Sequence, residues 1–301
     1  MNHLNTDKLW DVIVLGAGPA GSSLAATLAK AGWHTLLLER RRLPHHKVCG
    51  EFLSPEAQDT LRRLGLFQTV KALWPSPLKQ VRLVSARGAV AQAPLPGSAW
   101  GISRYRVDAA LANAARQNGV EVRAGVTARA VQPANGGFSV EFQSKGEPGT
   151  LQARAVVAAC GRHTRPGLPP TRSSRDGRSY VGLKCHYTNV SMPAQVELYF
   201  FPGGYAGTNP IEGGRVNVGL LVTREAFEQA GGSVSATITK VARDWNPGLG
   251  RRLSGGEALP ETELAVAPVD LDRPAAPWDG IACVGDTAVM IPPLCGDGMA
   301  M

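Results

Sequence analysis

The sequence predicts an α/β fold in which a Rossmann-like parallel sheet is interleaved with a second, mainly antiparallel β domain. Three observations predict it. The run DVIVL (11–15) leads into Gly16, Gly18 and Gly21, spaced G-x-G-x-x-G, and a helix-forming stretch follows. From about 178 to 222 the texture changes to alternating strands with aromatic and polar faces. Near the end, GIACVGD returns to a buried strand (281–284) followed by Gly285 and Asp286.

DVIVL is short, apolar and β-branched, so it reads as a buried parallel strand. SSLAATLAKAG carries helix formers up to a stop at Gly32. TLLLE (35–39) is a second buried strand ending in an acid, and Glu39 follows Gly21 at the ~20-residue distance of a ribose-binding carboxylate. In such a Rossmann-like turn Gly16 permits the bend, Gly18 lets the backbone approach a pyrophosphate, and Gly21 lets the helix pack on the strand. The helix N-terminus supplies N–H groups and partial positive charge. Glu39 would accept from ribose hydroxyls and repel a 2′-phosphate. An ADP-containing dinucleotide is therefore expected, with NADP least favoured, although Arg40 and Arg41 leave it open.

Later elements follow the same logic. SPEAQDTLRRLGL (54–66) reads as a helix with Ser54 as N-cap, proline in its first turn and Gly65 near its end. SRYRVDAALANAARQNG (103–119) is another, with Val107, Ala110, Leu111 and Ala114 on one face. VEVRAGVTARAVQPANGGFSVEFQ (120–143) breaks into strands around an Asn-Gly-Gly turn, and ARAVVAACG (153–161) is a buried strand. SYVGLKCHYTNV, QVELYFFPGG and GRVNVGLLV are the strands of the second domain, and SVSATITKVARDW (233–245) is a short helix.

The 301 residues, 44% hydrophobic and 19% charged, suit one large or two medium folded domains. No apolar run approaches the ~20 residues of a membrane span, and MNHLNTDKLW lacks a signal-peptide pattern, so the cytoplasm is the expected compartment. Five cysteines without C-x-x-C argue against a disulfide framework and a zinc site, and no metal is expected. The net charge of +8 is scattered. Its tightest cluster, Arg40, Arg41, Arg42, His45, His46 and Lys47, reads as a solvated loop or as anion steering toward a cleft. Nucleic acid is not expected, because no aromatic-interleaved basic strand accompanies it.

Three separated motifs together resemble the FAD-dependent oxidoreductases with the p-hydroxybenzoate hydroxylase fold. They are the glycine turn with Glu39, the strand ending at Cys160-Gly161 before RHTRP, and the terminal VGDTAVMIPPLCGDGMAM. KVCGEFLSP (47–55) and FFPGGYAGTNPIEGGRVNVG (200–219) are most similar to the geranylgeranyl reductase branch and its bacterial relatives. The resemblance implies an FAD-binding domain with a parallel sheet and a β-meander, in three parts: 8–75, 101–172 and 275–301. A mainly antiparallel substrate domain would take 76–100 and 173–274. The chain reaches Met301 within the helix expected after CGDG, so C-terminal helices are expected to be missing.

The resemblance also implies roles. Gly16, Gly18, Pro19, Ala20, Gly21, Glu39 and Arg40 would hold the adenosine and pyrophosphate side of FAD, with Gly161 and Arg104 (or Arg106). Gly285 and Asp286 would meet the ribityl chain, Asp286 by accepting from its hydroxyls. Pro292 would shape the turn beside the ring, and Gly296, Gly298 and Met299 would open a helix facing the flavin N1/C2=O edge. Cys49, Gly50 and Glu51 would lie near the isoalloxazine, and Cys49, Glu51 or Tyr205 could protonate substrate. Tyr199, Phe200 and Phe201 would be core or pocket wall.

Departures from the pattern narrow the reading. Cys160 stands where hydroxylases of this fold carry Asp, and a thiol cannot replace that carboxylate as an acceptor. Electrons could therefore come from NAD(P)H or from a reduced ferredoxin-type protein. Glu197-Leu198-Tyr199-Phe200-Phe201-Pro202 stands where the reductases have Tyr-x-Trp-x-Phe-Pro and flavin halogenases Trp-x-Trp-x-Ile-Pro. Halogenation is set aside on that ground. The expected function is C=C reduction in a large, partly apolar molecule. The alternatives are a monooxygenase using a flavin C4a-hydroperoxide and a non-catalytic flavin-binding module.

Overall fold

The structure, a computed structural model, describes residues 8–162, 166 and 180–300. His163, Thr164 and Arg165 of the RHTRP stretch, and Met301, lie outside the described residues. The opening unit is β1 (Leu9–Leu15), α1 (Pro19–Lys30) and β2 (Thr35–Glu39). Next come β3 (Phe52–Leu53), α2 (Pro55–Arg63), α3 (Phe67–Lys71), β4 (Ser76–Val84), β5 (Val90–Gly101) and α4 (Arg104–Gln117). Four strands follow: β6 (Glu121–Ala124), β7 (Val126–Ala134), β8 (Gly137–Ser144) and β9 (Glu147–Ala158).

The remaining chain supplies β10 (Tyr180–Thr188), β11 (Gln195–Phe201), β12 (Gly204–Ile211) and β13 (Arg215–Thr223). Helices α5 (Arg224–Gln229), α6 (Val234–Lys240) and α7 (Pro247–Leu253) precede β14 (Glu257–Val269), β15 (Trp278–Asp279) and β16 (Ile281–Cys283).

Two sheets share these strands. In the first the order is β15-β16-β9-β1-β2-β6, with β7 and β8 joined as a meander to β9. Strands β6, β2, β1, β9 and β16 run parallel. Helices α1 and α4 cover one face and the β7–β8 meander the other, so β1 and β2 are apolar on both faces, and Ile13, Val14, Leu36 and Leu37 are fully buried. The second sheet runs β14-β10-β13-β12-β11-β4-β5-β3, antiparallel except where β11 meets β4. Strand β3 lies in this second sheet although it follows the opening nucleotide unit.

Local chemistry explains the element ends. Ser54 Oγ accepts from Ala57 N at 3.2 Å, and Ser103 Oγ from Arg106 N at 3.3 Å, so both expected N-caps form. The Asn-Gly-Gly turn closes the β7–β8 hairpin with Ala134 opposite Gly137. The 233–245 helix is shorter than expected. Its regular part ends at Lys240 and continues as a wider turn, Val241–Trp245, before Asn246 starts α7 by accepting from Gly248 N at 3.1 Å. At the end of the described residues Gly296 is left-handed (φ +76°), and Ala300 N–H closes a single turn on Asp297 O.

The second sheet is amphipathic in an unusual way. One face carries Leu183, Cys185, Tyr199, Phe201, Val218 and Val222 into a core closed by α6 and α7. The opposite face carries Lys184 and His186 from β10, Asn217 and Gly219 from β13, and Gly207 and Asn209 from β12. Tyr199 and Phe201, expected as core or pocket wall, are core. No described helix is long and apolar enough to cross a membrane.

Candidate active site

A cavity of about 1500 Å³ runs between the glycine turn of the first sheet and the polar face of the second. At its first end Gly16 (φ +110°) makes a bend in which any Cβ would overlap the Ala159 carbonyl, and a Cβ on Gly21 would strike the carbonyl of Gly16. Helix α1 therefore sits hard against β1 with its first N–H groups uncapped by any side chain. Above Gly18 stand two cations: a Cβ there would lie 3.5 Å from an Arg104 Nη and 3.7 Å from Lys47 Nζ.

Both cations are held by Asp108, which is fully buried in α4. Arg104 Nε and Nη2 donate to its two oxygens at 2.7 and 2.9 Å, and Lys47 Nζ lies 3.0 Å from Oδ2. Burial alone would push the Asp108 carboxyl up, but Arg104 and Lys47 outweigh it and hold it below the usual range. A cationic clamp over an uncapped helix N-terminus is an anion site. Glu39 is also buried. Its oxygens accept from Ala17 N at 2.9 Å and Arg41 N at 3.0 Å, which leaves lone pairs for further donors.

The middle of the cavity is formed by Cys49, Gly50 and Glu51, and the second sheet fixes these three residues from below. Asn217 Nδ2 donates to Cys49 O at 3.2 Å and Gly50 O at 2.9 Å, and Asn209 Nδ2 to Glu51 O at 3.3 Å. Those asparagines are cross-strand neighbours, and His186 pairs with Asn217, so β10, β13 and β12 present one polar row. Glu51 lies in the left-handed region (φ +53°), an uncommon conformation that its surroundings impose. Its side chain turns down into the sheet. Oε1 binds Lys184 Nζ and accepts from Arg104 N at 2.9 Å, while Oε2 meets His186 Nε2 at 2.7 Å.

Glu51, Lys184 and His186 are all 0% exposed. Burial favours the neutral acid, but the His186 hydrogen bond and the Lys184 charge outweigh it and hold Glu51 ionised below the usual carboxylate range. That corrects one expectation: a carboxylate so held is no proton donor at neutral pH. Tyr205 is different. It lines the cavity, and burial pushes its phenol well above the usual value, with Cys295 adding to the shift, so Oη keeps its proton.

Beyond this point the wall is aliphatic: Leu95, Leu198, Leu221, Leu264 and Val266 line it with Tyr205. Cys160 and Gly161, Gly285 and Asp286, and Gly296, Gly298 and Met299 close the remaining sides. Pro19, Ala20, Arg40, Cys49, Gly50 and Arg104 also line the cavity. Gly21 and Pro292 do not, and Arg106 points away, donating to Leu73 O at 3.2 Å. Asp108 and Asn217 were not foreseen as site residues, Lys47 was read only as part of the basic cluster, and Lys184, His186 and Asn209 lie on strands read only as alternating aromatic and polar faces. The alternation Leu183-Lys184-Cys185-His186 carried the missing signal, since two basic residues two apart on a buried strand must share a face.

Comparison with known proteins agrees with this geometry. The family model described as FAD binding domain matches residues 10–301. Digeranylgeranylglycerophospholipid reductase 2 of Methanopyrus kandleri is 28% identical over 96% of this chain and 73% of its own length. Menaquinone reductase of Mycolicibacterium smegmatis is 27% identical over 96% of this chain and 72% of its own. The solved myxobacterial chondrochloren halogenase CndH superposes with a TM-score of 0.84 at 24% identity, over 97% of this chain and 71% of that one, a likeness of fold.

Proposed function

The chain belongs to the FAD binding domain family, and we propose that this FAD-dependent oxidoreductase reduces a carbon–carbon double bond in a large, mainly apolar molecule. The residues present fit FAD: a glycine turn in which a Cβ at Gly16 or Gly21 would overlap backbone, an uncapped helix terminus and two cations above it. Gly16, Gly18, Pro19, Ala20, Arg104 and Lys47 would hold the pyrophosphate, and Glu39 and Arg40 the adenosine side. Cys49, Gly50, Gly161, Gly285, Asp286, Gly296, Gly298 and Met299 would surround the ribityl and ring end. When bound, FAD supplies the two-electron chemistry that these side chains lack.

The observation that carries the substrate reading is the aliphatic lobe ending at Tyr205. Leu95, Leu198, Leu221, Leu264 and Val266 would align an apolar chain and exclude water from it. Tyr205 Oη, kept protonated by burial, would hold the proton the reduced carbon needs, with Cys49 as the second candidate. Glu51 would act as a fixed negative charge that anchors the segment 49–51. The reductase names of two relatives support this reading. Its electron donor would be NAD(P)H or a reduced ferredoxin-type protein.

Oxygen-dependent chemistry is the second reading, and halogenation returns within it because of the likeness to CndH. Against it, this chain lacks Trp-x-Trp, and Tyr199 at the matching place faces the opposite core. One experiment separates the two. FAD-loaded protein is reduced without oxygen and mixed with polyprenyl lipids or quinones bearing isoprenoid tails. Anaerobic return of the oxidised flavin spectrum with two hydrogens added to the isoprenoid chain, not to a quinone ring, supports reduction. Product that forms only with oxygen, or with oxygen and halide, overturns it.

A further inference from the structure

Where the second sheet floors the cavity it carries Gly182 of β10, Gly219 of β13 and Gly207 of β12. Two of these are accounted for by the protein's own packing. A Cβ on Gly182 would lie 3.1 Å from Val48 Cγ1 and 3.2 Å from Val266 Cγ1, so both valines would have to give way. A Cβ on Gly219 would meet Cys49 O at 3.5 Å and Gly50 Cα at 3.7 Å, because the segment 49–50 lies across it. Gly207 has neither reason. Its φ is outside the left-handed region, and among the described residues a Cβ there would meet only Leu198 Cδ2 at 3.4 Å and Gly219 O at 4.0 Å. Alanine would suit this strand better, since glycine loses more conformational freedom on folding. The missing side chain leaves a notch that opens into the cavity, and a strand glycine of this kind marks close approach of another molecule to the backbone.

Strand register fixes what surrounds the notch. Leu198 stands opposite Gly207, Gly207 opposite Gly219, and Gly219 opposite Lys184, one row across the sheet. Lys184 is turned to Glu51, and the segment 49–50 covers Gly219. The notch therefore runs from Leu198 to that segment. Tyr205 stands two residues away on the same face of β12, at roughly 7 Å. Strand β12 is paired on both sides, so its backbone N–H and C=O groups are used within the sheet and the floor of the notch is apolar.

We propose that Gly207 is a specificity-determining residue: an extended, unsaturated hydrocarbon chain crosses β12 on the bare backbone there, which sets its double bond between Cys49–Gly50 and Tyr205. The inference rests on the reading of the cavity as the site of an apolar substrate with a double bond. It adds where that chain runs and which residue gauges its width. A side chain at this position would lift the chain off the sheet and away from both groups.

The test is binding to the oxidised, FAD-loaded protein, with farnesol and geranylgeraniol as probes and calorimetry as the readout. Melting temperature and FAD affinity are followed in parallel. Gly207→Ala is expected to keep or raise the melting temperature and to leave FAD affinity unchanged, while probe binding weakens about tenfold. Gly207→Val weakens it further. Adding Leu198→Ala to Gly207→Val should restore part of the binding, because the valine can lean into the space that Leu198 vacates. Unchanged probe binding in Gly207→Ala and Gly207→Val overturns the proposal and leaves the functional reading standing. So does a lower melting temperature in Gly207→Ala, since the fold itself would then require the glycine. If wild-type protein takes up no FAD, or takes it up and binds neither probe, the functional reading falls with the proposal. Should Gly207→Val not fold, Gly207→Ala decides alone by the same two readouts.

Discussion

The second sheet buries two glutamates on opposite faces, and they are handled differently. Glu51 and Glu197 are both 0% exposed, so each needs partners to offset desolvation. Glu197 is gripped by Arg252 through two nitrogens at 2.7 Å, approached by Arg82 at 3.7 Å, and accepts from the Tyr199 hydroxyl and from Gln195 Nε2 at 2.5 Å. Arginine does not release its proton in a protein, so that cluster has one charge state. Glu51 instead meets Lys184 and a histidine, and it faces the cavity. Where the sheet needs only to be fastened, the partners are permanent cations. Where it lies under the cavity, the partners are a lysine and a histidine.

Breaking the permanent cluster is expected to have the largest effect. Glu197→Ala leaves Arg252 without its fork partner and Tyr199 without its acceptor, costing roughly 3–5 kcal/mol in denaturant unfolding. A loss near zero would mean that the cluster is solvated. Glu51→Gln keeps the shape but removes the charge, and costs about 2 kcal/mol. Adding Lys184→Met should recover part of that loss, because the unpaired ammonium goes too. Full additivity in that cycle would show that the pair is not coupled.

Acid sharpens the contrast. Both carboxylates are held below the usual range, so their contribution is present above the ordinary carboxylate value and is lost as pH falls through the depressed folded value. His46 acts earlier. Burial, with Lys184 and His186 beside it, lowers its folded value to about 4, so the unfolded chain takes the proton first. Stability should therefore already decline as pH falls from about 6.5 toward 4. His46→Gln should flatten that part of the melting-temperature profile, and an unchanged profile would count against the assignment.

The smallest effect is expected at Ser103, whose hydroxyl caps α4 and donates to the buried Glu212 at 2.5 Å. Ser103→Ala should cost about 1 kcal/mol in thermal unfolding. It should also loosen the helix N-terminus that Glu51 touches through Arg104 N.

Sequence pattern revealed the nucleotide end far better than the middle of the cavity. Gly16, Gly18 and Gly21 act through backbone geometry and Glu39 through a carboxylate at a strand end, and all four are local in sequence, so their spacing alone carried the message. Lys47, Asp108 and Asn217 come from separate elements: the clamp forms where the loop before Cys49 meets α4, and strand register aligns the polar row. Strand β5, with Pro94, Pro96 and Gly97, gave almost no strand signal, because proline and glycine are tolerated there only by a partly irregular pairing. Glu51 read as a possible acid for the opposite reason. Its residue type was visible, but the lysine and histidine that keep it ionised lie over a hundred positions away.

The polar row His186–Asn217–Asn209 also constrains how this protein can change over generations. Side chains alternate along each strand, so inserting or deleting one residue in β10, β12 or β13 would turn valines, leucines or a threonine toward Cys49–Glu51 and drive the polar row into the α6–α7 core. Substitutions along the aliphatic wall carry no such penalty. Related chains can thus retune what the cavity admits by point changes, while length changes in these three strands are confined to even numbers or to the turns between them.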